Sequence, residues 1–325
     1  MKGKIAAAID IGGTKIAAAL VTRDGLASDV RAVPTEASSQ GAAVLRRSIE
    51  LVRKVVAEPG SPPPSVIGVA TGGWIDRSTG RVAFATGLLP GWIGLDLRTE
   101  FQEATGLPAA VINDVHAMGI AEACLGAGRG RGVCLSVAVG TGIGGAITVD
   151  GLLFEGARGM AGALGHITYR ADGAMCSCGR RGCIEAYASG PAIAAAFANC
   201  SGSSQAGVEL RDVIDALSSP QGTLRECARQ AIATAGAALG QILGGVANTI
   251  DPDLIVLGGG AALALGDQFI EALRSAVAYH TLGPTSPTVL PSQVGAVAGV
   301  VGAGLAALSG DNPDRRSEGV HTSGL

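Results

Sequence analysis

The sequence predicts an α/β protein of two related halves, and three observations carry that reading. A chain of 325 residues has room for two domains and a sizeable core. Apolar β-like runs alternate with segments of helical pattern along its length. Most telling, a unit of strand, glycine turn and strand occurs twice, once in each half. In the first copy an apolar strand over residues 4–10 ends in Asp10. Ile11-Gly12-Gly13-Thr14-Lys15 follows, then a second strand from Ile16 to Thr22 and a turn at Asp24-Gly25. In the second copy Val133–Val139 leads into Gly140-Thr141-Gly142-Ile143-Gly144-Gly145, a strand from Ala146 to Val149, and a turn at Asp150-Gly151. Both copies close on Asp-Gly-Leu. Each glycine turn presents backbone N–H groups where strands reverse, an arrangement that suits phosphate oxygens.

The other elements follow in order. Ser38 to Val56 has a helical pattern that Ser61-Pro62-Pro63-Pro64 breaks. Val66 to Ala70 reads as a strand, Leu97 to Thr105 as a helix, and Val111-Ile112 as a short strand leading to Asn113-Asp114. Thr223 is placed to cap a long helix reaching about Asn248, followed by Asp251-Pro252 and a strand from Leu254 to Leu257. Gly258-Gly259-Gly260 then opens another helix, the placement of a nucleotide-binding turn. Val294 to Leu308 is a final apolar helix, and the polar tail over 310–325 is expected to be disordered.

Composition narrows the function classes. The formal charge of −3 comes without a basic run, so nothing points to nucleic acid. Aromatics make up 3%, too few for stacking platforms. Glycine, at 51 residues, is the anomaly, and its clustering in turns between apolar runs marks loops that approach a ligand closely. Mean hydropathy is +0.39. Yet two long uncharged runs, Gly132 to Val149 and Ala231 to Ile250, read as buried elements rather than membrane spans. The first holds five glycines, and the second is mostly alanine and glycine and carries Gln241 and Asn248. Met1-Lys2-Gly3-Lys4 is followed by only a short apolar run, so no secretory signal is expected.

His166 and Cys176-Ser177-Cys178-Gly179-Arg180-Arg181-Gly182-Cys183 put one imidazole and three thiols in a short stretch. That donor set suits zinc in a closed tetrahedral structural site. A disulfide is the alternative, and an odd cysteine count in a chain expected to be cytoplasmic disfavours it. Cys124, Cys134, Cys200 and Cys227 lie in apolar surroundings and read as small buried hydrophobes.

These residues together resemble the ROK sugar kinases, the glucokinase and N-acetylmannosamine kinase group of the actin-like (ribonuclease H-like) ATPases. The resemblance rests on Asp10-Ile-Gly-Gly-Thr-Lys15, Asn113-Asp114, Gly140-Thr-Gly-Ile-Gly144, Ala161-Gly-Ala-Leu-Gly-His166, the cysteine knuckle through Glu185, and Leu257-Gly-Gly-Gly260, in the family's order over about residues 4–308. It implies two related α/β domains around an active-site cleft. One covers 1–115 with the helix 296–309 returning to it, and the other covers 116–295 with a zinc knuckle at 166–185. It also implies ATP and a small sugar as substrates, Mg²⁺ and structural Zn²⁺, and a homodimer.

The site residues follow by the same resemblance. Asp10 would hold Mg²⁺. Gly12, Gly13, Thr14, Lys15, Gly140, Thr141, Gly142, Gly258, Gly259 and Gly260 would line the nucleotide, although Lys15 also reads as a solvated strand residue. Asp114 would be the base that accepts the attacking hydroxyl's proton, with helix N-capping as the alternative for it and for Asn113. Gly72, Asn113, Asp114, His166 and Glu185 would contact the sugar, His166 through the nitrogen that does not face zinc.

Two positions depart from the family. Most of its glucokinases carry Glu where this chain has Ala163, and the family usually places Asn where Leu88 stands. A site that loses a hydroxyl's partner loses discrimination for that hydroxyl. The departures favour an N-acylhexosamine, N-acetylmannosamine first, over glucose. A glucokinase with an altered pocket and a non-catalytic sugar-sensing protein are the alternatives. The regulators of this family carry a helix-turn-helix region before the first glycine turn, for which the few residues ahead of the first strand leave no room.

Overall fold

The structure is a computed structural model that describes residues 4–26, 28–87, 89–203, 207–219 and 222–310. Leu88 and the tail 311–325, both of which enter the expectations above, lie outside those residues. The chain divides into two compact units: Met1–Ala117 with Gly299–Leu325, and Met118–Ala298.

In the first unit β1 (Ala6–Ile11) and β2 (Lys15–Thr22) form an antiparallel hairpin around the first glycine turn, with Asp10 opposite Ala17. Short strands β3 (Gly25–Leu26) and β4 (Arg31–Pro34) both pair with β2. Helix α1 (Gly41–Val56) buries Val44, Leu45, Ser48, Leu51, Val52 and Val55, one face at three- and four-residue spacing. Its start falls at Gly41 because residues 37–39 form a separate 3₁₀ turn. β5 (Val66–Thr71) runs parallel to β1 and is buried throughout, as a central parallel strand should be. A two-stranded ribbon, β6 (Trp74–Asp76) and β7 (Arg81–Phe84), was not legible in the sequence pattern. Helix α2 (Leu97–Thr105) starts where the Asp96 side chain accepts from Thr99 N, and ends at left-handed Gly106. β8 (Ala109–Asn113) completes the sheet beside β5, giving the order β3-β2-β1-β5-β8, and α3 (Asp114–Leu125) follows directly.

The second unit repeats the plan. β9 (Val133–Val139) and β10 (Ile143–Val149) form an antiparallel hairpin around the second glycine turn. β10 begins at Ile143 rather than Ala146, because its glycines pair in full register with β9. β11 (Leu152–Phe154) adds to β10. Helices α4 (Glu185–Ala188), α5 (Gly190–Ser201), α6 (Leu210–Leu217) and α7 (Thr223–Ile250) precede β12 (Leu254–Gly258), and α8 (Gly260–His280) precedes β13 (Thr288–Pro291). The sheet order is β11-β10-β9-β12-β13, the same arrangement of hairpin and parallel neighbours as in the first unit.

Thr223 is the first residue of α7 and Gly222 its cap, so the expected Thr223 cap lies one residue too late. By length and composition α7 could cross a bilayer, but 56% of its most apolar window is buried inside this unit. Gly236, Gly240 and Gly244, one turn apart, let α8 approach closely. A Cβ on Gly236 would stand 2.7 Å from Phe269 O. The alanine and glycine run is therefore a helix-packing face.

The core of the first unit gathers Ile9, Ile11, Ile16, Leu20, Val52, Ile67, Trp92 and Phe101. That of the second gathers Leu135, Val137, Ile184, Leu239, Leu257 and Phe269. The last helix, α9 (Ala298–Ser309), follows a 3₁₀ turn over Gly295–Val297, so the helix expected from Val294 begins later. Ala307 and Leu308 pack with Ala6 and Val66 of the first unit.

Of the remaining cysteines, Cys134 matches its sequence reading, whereas Cys124, Cys200 and Cys227 correct it. Cys134 is buried and Cys124 is exposed. Cys200, at the exposed end of α5, is bonded to buried Cys227 of α7. Chain topology, invisible in the spacing, brings the two helices together.

Candidate active site

In the first unit the β1–β2 reversal is closed by Gly12 N donating to Lys15 O at 3.0 Å. Gly13 and Thr14 stand exposed at its tip, and Lys15 is an exposed first residue of β2. Thr35 braces the turn from outside it: its hydroxyl donates to Gly12 O at 2.6 Å and its N–H to Thr14 O at 2.9 Å. The sequence held no sign of this role, since Thr35 is a loop residue 23 positions away.

Asp10 is the penultimate residue of β1, beside that turn. Its Oδ1 is buried with no hydrogen-bond partner, and Gly299 of α9 packs so closely on the carboxyl group that a Cβ there would collide with it. Burial, then the nearby Asp114 carboxylate, push the Asp10 pKa up to about 7, while Lys15 pulls it down. A buried carboxylate oxygen without a donor is the ligand a hard cation such as Mg²⁺ takes. Asp10 fits that role.

Asn113 and Asp114 sit at the junction of β8 and α3. Asn113 Oδ1 accepts from Val115 N at 2.9 Å and from His116 N at 3.1 Å, and its amide donates to Gly73 O at 3.0 Å. Asn113 is thus a helix cap in full, whatever else it contacts. Asp114 Oδ1 accepts from Val115 N at 2.9 Å, and Oδ2 faces Gly72, where an added Cβ would lie 3.7 Å away. Burial raises the Asp114 pKa, while hydrogen bonds from the Val115 and Asp114 backbone and the Asn113 side chain pull it down.

In the second unit Gly140 N donates to Gly142 O at 2.9 Å, and Thr141 is exposed at the tip of the turn. Parallel pairing of β9 with β12 sets Gly258 opposite Ala138, so the second glycine turn and Gly259-Gly260 leave the same sheet edge together. Gly259 has φ +88° and packs against Val139 so closely that only glycine fits. Gly260 begins α8, leaving that helix's first N–H groups at this edge.

A ring nitrogen of His166 and the sulfurs of Cys176, Cys178 and Cys183 all lie within 4.8 Å of one another. Cys178 and Cys183 sulfurs are 3.7 Å apart, as are Cys176 Sγ and His166 Nδ1. A tetrahedron with metal–sulfur bonds near 2.3 Å has edges of about 3.8 Å, so the donor set fits zinc. Gly179 and Gly182, at φ +84° and +78°, make the reversals that aim the sulfurs inward. Glu185, just past the knuckle, accepts from Ile143 N through Oε2 at 3.0 Å and from Ser177 Oγ through Oε1 at 2.7 Å. Ala163, exposed, sits one short turn ahead, its carbonyl accepting from His166 N at 3.2 Å.

Each unit is thus a hairpin with a glycine turn flanked by parallel strands, and this duplicated sheet is the actin-like ATPase fold. A glucokinase from Streptomyces griseus, solved with glucose and AMPPNP, superposes with a TM-score of 0.81 at 28% identity, covering 94% of this chain and 99% of its own. The ROK family profile matches residues 6–309, and the chain belongs to the ROK family. It is 36% identical over 259 residues to an N-acetylmannosamine kinase of Citrobacter koseri, covering 80% of this chain and 84% of that protein. It is 30% identical over 280 residues to a glucokinase of Halalkalibacterium halodurans, covering 82% and 83%.

Proposed function

We propose that the chain is an ATP-dependent sugar kinase that phosphorylates the C6 hydroxyl of an N-acylhexosamine, N-acetylmannosamine foremost. The observation that carries the reading is Asp114. Its carboxylate sits at the head of α3, its pKa is raised, and Oδ2 faces the space beside Gly72. Such a base takes the proton of the C6 hydroxyl as that oxygen attacks the γ-phosphorus. The bond from phosphorus to the β–γ bridging oxygen breaks, and ADP leaves. The two glycine turns, Thr14, Thr141 and the start of α8 are assigned to the nucleotide, their N–H and hydroxyl donors facing phosphate oxygens. Mg²⁺, held by Asp10 and the nucleotide, would neutralise charge on the phosphates. Zinc on His166, Cys176, Cys178 and Cys183 would leave His166 Nε2 protonated, a donor fixed in place for a sugar hydroxyl. Glu185, with a lone pair to spare on each oxygen, is assigned to the sugar beside it.

The choice of sugar rests on Ala163. A methyl group where the glucokinases place a carboxylate leaves room for an N-acyl group at C2 and leaves one hydroxyl of glucose without its partner. Where bound sugar buries that hydroxyl, a lost partner costs about 1–3 kcal/mol, roughly tenfold or more in kcat/KM. The test is ADP release against hexoses and N-acetylhexosamines. N-acetylmannosamine should exceed glucose in kcat/KM, and Ala163→Glu should move preference toward glucose. Preference of the wild type for glucose would leave an altered glucokinase. Tight sugar binding without turnover would leave a sensor.

A further inference from the structure

Glu185 touches more than a sugar-binding role requires. Both its oxygens are engaged inside the protein, and each leads to a different machine. Oε2 accepts from Ile143 N, the first residue of β10, and approaches Gly142 so closely that a Cβ there would lie 2.7 Å from it. Gly142 is thus glycine partly because a carboxylate occupies the side chain's place. Oε1 accepts from the hydroxyl of Ser177, the residue between two cysteines of the knuckle, and Cys176 Sγ lies 3.7 Å from the same oxygen. A second tie runs alongside, Gly190 N donating to Gly140 O at 2.8 Å. The turn that the proposed function assigns to phosphates is therefore held on one flank by residues just after the knuckle.

We propose that Glu185 is a positioning residue for the 140–143 turn, and that the Ser177–Glu185–Ile143 hydrogen-bond chain makes nucleotide affinity depend on the metal knuckle. The inference rests on the assignment of that turn to the nucleotide, and its consequence is reciprocal. If an ordered knuckle strengthens nucleotide binding, bound nucleotide must by the same factor strengthen metal retention. Ser177 is the probe of this chain: its hydroxyl donates to Glu185 Oε1 at 2.7 Å and lies 3.9 Å from Cys176 Sγ, so a variant there is read together with its zinc content.

The test uses metal-loaded full-length protein without sugar. ADP affinity is measured by calorimetry, zinc content by metal analysis, and exchange of the Ile143 amide by hydrogen–deuterium exchange. Glu185→Ala should weaken ADP by about tenfold and speed Ile143 exchange by a similar factor, having removed a charge-assisted hydrogen bond. Glu185→Gln can still accept from Ile143 N and donate to Ser177, so it should bind ADP near the wild-type level while losing sugar affinity. Ser177→Ala should keep its zinc and weaken ADP a few-fold. ADP affinity and Ile143 exchange unchanged in Glu185→Ala would overturn the inference, leaving Glu185 a sugar contact only. A wild type that binds no ADP would instead overturn the nucleotide assignment, and the link to the turn would still be read from Ile143 exchange.

Discussion

Asp114 is where the proposed chemistry is most exposed to test. Asp114→Asn keeps the shape of the α3 N-terminus and removes the proton acceptor, so sugar and ATP binding should persist while kcat falls by about 10² or more. The same residue sets a pH limb. Its raised pKa means that wild-type kcat/KM declines, as pH falls, above the ordinary carboxylate range. That limb should vanish from the residual activity of Asp114→Asn, and near-normal turnover in the variant would place the base elsewhere. Asp10 makes a separate prediction about stability. Its folded pKa of about 7 stands above the 3.8 of an ordinary Asp, so the folded state holds its proton more tightly. The stability this contributes is full below pH 3.8 and is lost as pH rises through about 7. In chelator and without nucleotide, Asp10→Asn should therefore be the more stable protein at pH 8, by up to about 4 kcal/mol, with the gap closing toward pH 4. Denaturation midpoints across that range decide it, and a constant gap would refute the titration. Asp10, Asp114 and the glycines were legible because they stand in short contiguous motifs. The capping by Asn113 was legible too, as the alternative reading of its motif. The brace from Thr35 and the link through Ser177 were not, since each depends on where a side chain turns after folding.

At the scale of elements, legibility followed local signals. Leu97–Thr105 could be read to the residue because Asp96 and Gly106 mark its ends. The β6–β7 ribbon escaped because its strands are three and four residues long, too short for a period to show. Glu122 escaped for a different reason. It lies within α3 at 0% exposure, and its carboxylate accepts from Ser292 Oγ at 2.6 Å, Val294 N at 2.9 Å and Ala127 N at 3.0 Å. Two of these donors are some 170 residues away in sequence, so no window could connect them. Glu122→Ala would take the shared acceptor from these part-buried donors and from Gln293 N at 3.3 Å, and should cost about 3 kcal/mol or more in urea unfolding of the folded variant. A loss under about 1 kcal/mol would mean that the 292–294 turn holds itself.

For the molecule as a whole, the repeat in sequence became a repeat in topology: strand orders β3-β2-β1-β5-β8 and β11-β10-β9-β12-β13 match position for position. The halves differ in what has been added, and the second has gained both the knuckle and the Cys200–Cys227 bond. That bond closes a loop of 27 residues, for which chain entropy gives roughly 3–4 kcal/mol. Cys200→Ser in oxidised protein should lower unfolding stability by that order, whereas an unchanged melting curve would show the thiols do not pair in solution. The knuckle and the bond then make opposite demands on their surroundings. Three sulfurs must stay as thiolates to hold a metal, while two others in the same unit must give up their electrons to join. A thiol reductant added to guard the first would unfasten the second, and an oxidant added to close the second would threaten the first. The second unit accordingly has no single oxidation state that a buffer can be relied on to preserve, and bound zinc, by shielding the knuckle, is what would let both conditions hold at once.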